Sequence, residues 1–149
     1  MKKSMRRKLE NELDDLWREI IYLTYDFTCE MCGREMTPEE CHAHHIIPRG
    51  NFNVRWDLGN GSLLCNYNHN EAPDAPHHDN EKYLEWLKVH RWKGHYERLL
   101  RKSGEKGGAN KLEILELMQL RNRLKEIKID MEELRAKSSL LTYTIRYSL

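Results

Sequence analysis

Between Cys29 and His69 the chain sets all four of its cysteines and half of its eight histidines. No other feature restricts the fold as strongly. A stretch this rich in thiols and imidazoles, and this poor in long apolar runs, is expected to be stapled by metal rather than by a large core. Cys29-Glu30-Met31-Cys32, followed by Gly33, has the spacing of a zinc knuckle, with the glycine permitting the tight turn. A four-cysteine site would need a second such pair, but the chain offers Cys65-Asn66-Tyr67-Asn68. Cys29, Cys32 and Cys65 are thus candidate zinc ligands. Cys41 and His69 are the nearest candidates for a fourth. In a reducing compartment such a set reads as metal binding before disulfides.

The flanks are helical in pattern. Over residues 5 to 25, Leu9, Leu13, Leu16, Ile20 and Leu23 recur at steps of three and four, and Trp17 and Ile21 widen the stripe. Between the first cysteine pair and the histidines, Thr37-Pro38-Glu39-Glu40 has a capping threonine, a proline at the first helical position and a glutamate three residues after the cap. It predicts one helical turn. Residues 41 to 47 then read as a strand, and Ser62-Leu63-Leu64-Cys65 as a second. Helix returns over 79 to 102, capped by Asp79 or Asn80, with Gly94 able to divide it. "SGEKGGAN", 103 to 110, reads as a turn or link. Beyond it, Leu117, Leu120, Leu124, Ile127, Met131, Leu134, Ser138, Leu141 and Ile145 form a heptad seam. A small core cannot cover so long a helix, so the seam is expected to pair with another helix, from a second copy or from the N-terminal segment.

The expected fold class is therefore α+β. A small zinc-stapled core over 27–80 is flanked by an amphipathic helix over 1–26, a helical extension over 81–102, a link over 103–110 and a coiled-coil-like helix over 111–149. The chain has 149 residues, with 25 basic and 24 acidic side chains, and the net charge of +1 excludes neither a nucleic-acid partner nor its absence. No run of about eighteen apolar residues exists, so no membrane span is expected. The basic start leads into the amphipathic stripe with no signal-peptide pattern, which makes the cytoplasm the default location.

His44-His45-Ile46-Ile47-Pro48, then Asn60-Gly61-Ser62-Leu63-Leu64-Cys65, then His69-Asn70, form an ordered series behind the knuckle. Over residues 29 to 70 this resembles the HNH endonucleases, built on the ββα-metal fold. The resemblance implies a phosphodiesterase reaction with one divalent ion, magnesium, manganese or similar, beside a structural zinc. It implies His45 as general base, His44 and His69 as ligands of the catalytic ion, and Asn60 as the residue bracing the loop and strand that aim the base. The chemistry suits those residue types. An imidazole near neutral pKa can take a proton from water, and a divalent ion can neutralise charge on phosphate and leaving oxygens. His44 stands where the family often has aspartate, which widens tolerance toward softer ions such as manganese, cobalt or nickel.

Three departures leave alternatives open. Asn68 replaces a cysteine, and if His69 completes the zinc site, Asn70 becomes the candidate catalytic ligand. Gly61 replaces the usual leucine and is expected to loosen one packing contact. Strict strand alternation places His44 and His45 on opposite faces unless the strand ends or twists near Pro48. It also pairs His42 with His44 as a rival ligand set. His77 and His78 read as a polar loop, an extra ligand or a DNA contact.

The segment over 80–102 is similar to the helical tail of phage recombination endonucleases of the NinG (Rap) type. That implies branched or single-strand-containing DNA as substrate, read by shape and backbone. Arg49, Arg55, Arg91 and Lys93 are the candidate DNA contacts, with Arg34, Lys88, Arg98, Arg101 and Lys102 extending the basic track. Trp56, Trp86 and Trp92 are interleaved with it. Such binding weakens steeply with salt. A homodimer through residues 111 to 145 is also expected. The competing reading is a non-catalytic, zinc-stapled adaptor for DNA or protein that dimerises through its coiled coil.

Overall fold

The computed structural model describes residues 2–104 and 112–147, without the side chains of residue 2 and of 139–147. The architecture is the expected α+β. Helix α1 spans Lys2–Thr24, strands β1 and β2 span His42–His45 and Gly61–Leu64, and helices α2, α3 and α4 span Asn80–His90, His95–Gly104 and Ile114–Tyr147. The two strands pair antiparallel, with His42 opposite Leu64, His44 opposite Ser62, and His45 opposite Gly61. No helix among the described residues is long and apolar enough to cross a membrane.

Several local features follow from the residues that signal them. Gly33 takes a positive φ of 70° and closes the knuckle by donating its N–H to the Cys29 carbonyl. Glu40 reaches back to the Thr37 N–H at 2.9 Å across the short turn Pro38–Glu40. Asp79 caps α2 by accepting from the Lys82 N–H. Gly94, at φ 87°, stands between α2 and α3.

Helix α1 buries Leu9, Leu13, Trp17, Ile20 and Ile21. It lies against the sheet at the place where the sheet has no side chain. A Cβ at Gly61 would collide with Ile21 and stand 3.1 Å from the Trp17 ring. The expectation that Gly61 loosens the packing is therefore corrected. The space is filled from outside the motif, by α1.

The C-terminal seam has its partner in the same chain. Arg121 pairs with Glu12, Lys128 with Glu19 and Arg135 with Asp26. Both numbers rise by seven at each step, so α4 runs parallel to α1 with one ion pair per heptad. Leu117 and Leu124 are buried, and Leu120, Ile127 and Met131 pack partly buried against the same core. Leu134 is 65% exposed. Along 117–131 the face expected to form a homodimer is thus covered by α1. Leu141 and Ile145 lie outside the described side chains, and positions 105–110 of the expected link lie outside the described residues.

Candidate active site

Two clusters of metal-capable groups form around the sheet. Cys29, Cys32 and Cys65 bring their sulfurs within 4.8 Å of one another. Asn68 stands beside the cluster, its amide donating to Cys29 Sγ at 3.3 Å. The Cys65 N–H donates to the same sulfur at 3.4 Å. Burial pushes the Cys29 thiol up. The Asn68 amide and the backbone N–H groups of Cys32, Cys65 and Met31 outweigh it and hold the thiol at about 7. Cys41 stands apart from this cluster. It is buried, its carbonyl accepts the Tyr22 hydroxyl at 3.0 Å, and burial raises its thiol. Neither of the proposed fourth ligands, Cys41 or His69, joins the three sulfurs.

His69 belongs to the second cluster, in which ligand atoms of His44, His69 and His77 also lie within 4.8 Å of one another. A single π-helical turn, Tyr67–Glu71, serves both clusters: Asn68 faces the sulfurs and His69 the imidazoles. Asn70, the alternative ligand, instead donates its amide to Asn66 on the exposed side of that turn. His42 stacks on the His69 ring at 5.0 Å without entering the group of three. His78 is exposed and outside it.

The donor set fits a divalent ion. His44 Nε2 and His69 Nδ1 are buried and have no hydrogen-bond partner, which is costly for an imidazole unless a ligand satisfies it. Burial and the neighbouring histidines depress His44 to about 3, and burial with His77 and His42 depresses His69 to about 4. Both are neutral near pH 7, with lone pairs available to a cation. Tyr83, buried on α2, sets its ring edge-on to His44 at 5.3 Å.

His45 sits beside this group. A cleft of about 420 Å³ is lined by both His44 and His45, with Trp17, Arg18, Arg49, His69 and His77 around them. Strand alternation does not separate the two histidines from the cleft, because β1 ends at His45. The His45 Nε2–H donates to the Arg55 carbonyl at 2.9 Å. A carbonyl only accepts, so that bond fixes the tautomer and leaves Nδ1 as the basic nitrogen. Burial lowers the His45 pKa, with the Arg55 carbonyl and Asp14 opposing the shift. The ring is also stacked on Trp17, centroids 3.9 Å apart and planes 11° from parallel.

Asn60 is fully buried and ties its own backbone to two other stretches of the loop. Its oxygen accepts the Ile47 N–H at 2.8 Å, and its amide donates to the Ile47 and Val54 carbonyls. It spans the loop between the end of β1 and the start of β2.

Two of the four expected DNA contacts are otherwise committed. The Arg55 side chain is 9% exposed and makes a two-pronged bond to Asp14, which also accepts the Trp56 indole N–H. Arg91 is 10% exposed and binds Glu30, Tyr25 and the carbonyls of Gly59 and Gly61. It fastens the knuckle to β2 and to α2. Arg49 also pairs with Asp14 at 2.9 Å but is 66% exposed on the cleft rim, and Lys93 is exposed between α2 and α3. Trp56 is buried, whereas Trp92 is 58% exposed.

Sequence reasoning did not find Trp17 and Asp14 as site residues, and it favoured a polar loop for His77. For the first two a signal exists. Asp14, Trp17 and Ile21 share one face of α1 at helical spacing, on the side where the stripe widens.

No curated protein and no solved structure matches the chain. Residues 29–73, which carry the cysteine cluster, His45 and all of the histidine cluster but His77, match the family model described as HNH endonuclease.

Proposed function

We propose that the chain is a metal-dependent DNA endonuclease that hydrolyses phosphodiester bonds with His45 as general base. The observation that carries this reading is the His45 tautomer, fixed by the Arg55 carbonyl, beside two buried imidazole nitrogens that lack partners. His44, His69 and His77 would hold the divalent ion, which supplies charge neutralisation at the phosphate and stabilises the leaving oxygen. His45 Nδ1 takes the proton from the attacking water while the Nε2–H stays on the Arg55 carbonyl. Asn60 keeps the two ends of the intervening loop in register, so that this carbonyl does not drift. Cys29, Cys32 and Cys65 would hold a structural zinc, with Asn68 against the first sulfur.

The finer reading is a substrate of branched or single-strand-containing DNA, as in phage recombination endonucleases. Its support is the resemblance of the segment over 80–102 and the exposed Trp92 beside Lys93, which suits stacking on an unpaired base. A homodimer has less support, because α1 covers the seam along 117–131.

A nicking assay on linear, flapped and four-way-junction DNA with magnesium or manganese tests the proposal. The wild-type chain cleaves and His45→Ala loses the activity. Full cleavage by the variant sinks the assignment of the base. Absence of cleavage by the wild type on every substrate and metal favours the adaptor reading.

A further inference from the structure

The residues that hold His45 in place do not all come from the motif that contains it. One ring face is covered by Trp17, from α1, and the Trp17 indole N–H is itself tethered to the Asp57 carbonyl at 3.0 Å. The carbonyl that fixes the tautomer belongs to Arg55. That residue is held from its side chain by two hydrogen bonds to Asp14, one helical turn before Trp17, at 2.9 and 2.6 Å. Glycine at 61, directly opposite His45 in the sheet, lets α1 come close enough for the stack. So one face of α1 fixes both the plane of the imidazole and the position of its hydrogen-bond acceptor.

We propose that α1 is part of the active site, with Trp17 and Asp14 as positioning residues for the base His45. This rests on the nuclease reading for its effect on rate, but the arrangement itself does not. A base must present one nitrogen along one direction, and an imidazole on a strand end has two free torsions and two tautomers. Stacking removes the ring rotation. The anchored carbonyl removes the second tautomer. Neither Trp17 nor Asp14 has to touch substrate to do this. The segment over 29–73 contains neither residue, so part of what orients the base lies outside the motif.

The test uses the full chain, with Trp17→Phe and Trp17→Leu as the informative pair, because Trp17 is buried and alanine there risks unfolding. Phenylalanine keeps a ring to stack. Leucine fills space without one. Circular dichroism and melting confirm that both variants are folded. Steady-state cleavage and the ¹⁵N shifts of the His45 ring, assigned by comparison with His45→Gln, provide the readouts. In Trp17→Leu, kcat is expected to fall roughly ten- to a hundredfold with KM within about twofold, since the loss is one of alignment. Without the stack the ring is free to turn off the Arg55 carbonyl, so the His45 nitrogens are expected to move from a fixed Nε2–H tautomer toward an average. Trp17→Phe restores most of both. Wild-type kcat in the leucine variant, or an unchanged tautomer, overturns the proposal. A wild-type chain that cleaves nothing defeats the nuclease reading instead. The tautomer shift in Trp17→Leu then upholds the positioning role, and its absence overturns it.

Discussion

The cysteine cluster and the histidine cluster are served by consecutive residues of one wide turn, yet their surroundings differ. At the sulfurs, the protein supplies donors to one of the three: the Asn68 amide and the Cys65 N–H both point at Cys29. Those donors stabilise a thiolate at Cys29. At the imidazoles, two buried nitrogens have no donor or acceptor in reach, and the group opens onto a cleft with arginines at its rim. The contrast teaches how one small sheet can carry two donor sets that the protein satisfies to different degrees. One donor set is partly satisfied by the protein's own N–H groups, whereas the other keeps imidazole nitrogens that a cation could use.

That contrast can be broken by substitution. The largest effect is expected for Cys29→Ser, which removes a sulfur that two protein donors address. Zinc content should drop toward zero. The core should lose cooperative melting, because structural zinc contributes on the order of 10 kcal/mol in comparable small sites. Retention of the wild-type melting curve by zinc-free Cys29→Ser would show that the cluster is not a staple. His44→Ala should do the opposite. Cleavage is expected to fall by roughly a hundredfold or more, while zinc content and melting stay near wild type. Loss of zinc from this variant would mean that the two clusters are not independent.

A smaller effect sharpens the difference. Asn68→Cys supplies the missing sulfur, so zinc release to a chelator should slow by about tenfold or more. Equal release rates would place Asn68 outside the coordination sphere.

The smallest effect concerns acid. The folded-state pKa of His44 lies at about 3 and that of His69 at about 4, both below the unfolded value near 6.5. Between those values the unfolded chain binds more protons, so these two histidines favour folding fully above pH 6.5 and progressively less as pH falls toward 4. In protein freed of exchangeable divalent ions, the melting temperature of wild type should therefore fall more steeply over that range than that of His44→Ala. Parallel curves would refute the burial of a neutral imidazole.

Much of this was readable in the chain because it depends on short spacings. The knuckle with Gly33, the turn after Thr37, the break at Gly94 and the cap at Asp79 are all settled within a few residues. Asn60 was also identifiable, through the HNH resemblance, and the structure shows its side chain bridging the loop that the motif delimits. What the sequence concealed depends on distant neighbours. Arg55 and Arg91 look like any other basic residues until Asp14 and Glu30 are seen to claim them. His77 follows a proline-containing loop whose return to the sheet has no local signature. The role of Gly61 is invisible without α1, since an absent side chain has meaning only through what occupies its place. The seam of α4 announced a partner helix but not which one, because the same heptad spacing serves both pairings.

The parallel pairing of α1 with α4 has a consequence for the order of folding. Contacts such as Arg121 with Glu12 join residues 109 positions apart. As the chain emerges from a ribosome, α1 is synthesised well before this partner. The sheet, the cysteines and the histidines are all made before the helix that covers α1 exists. Closing so long a loop is entropically slow, and proteins rich in distant contacts fold late. The face of α1 that will meet α4 thus stays bare while the opposite face is already able to press on the strands. A newborn chain can assemble its clusters on one side of a helix whose other side is still waiting.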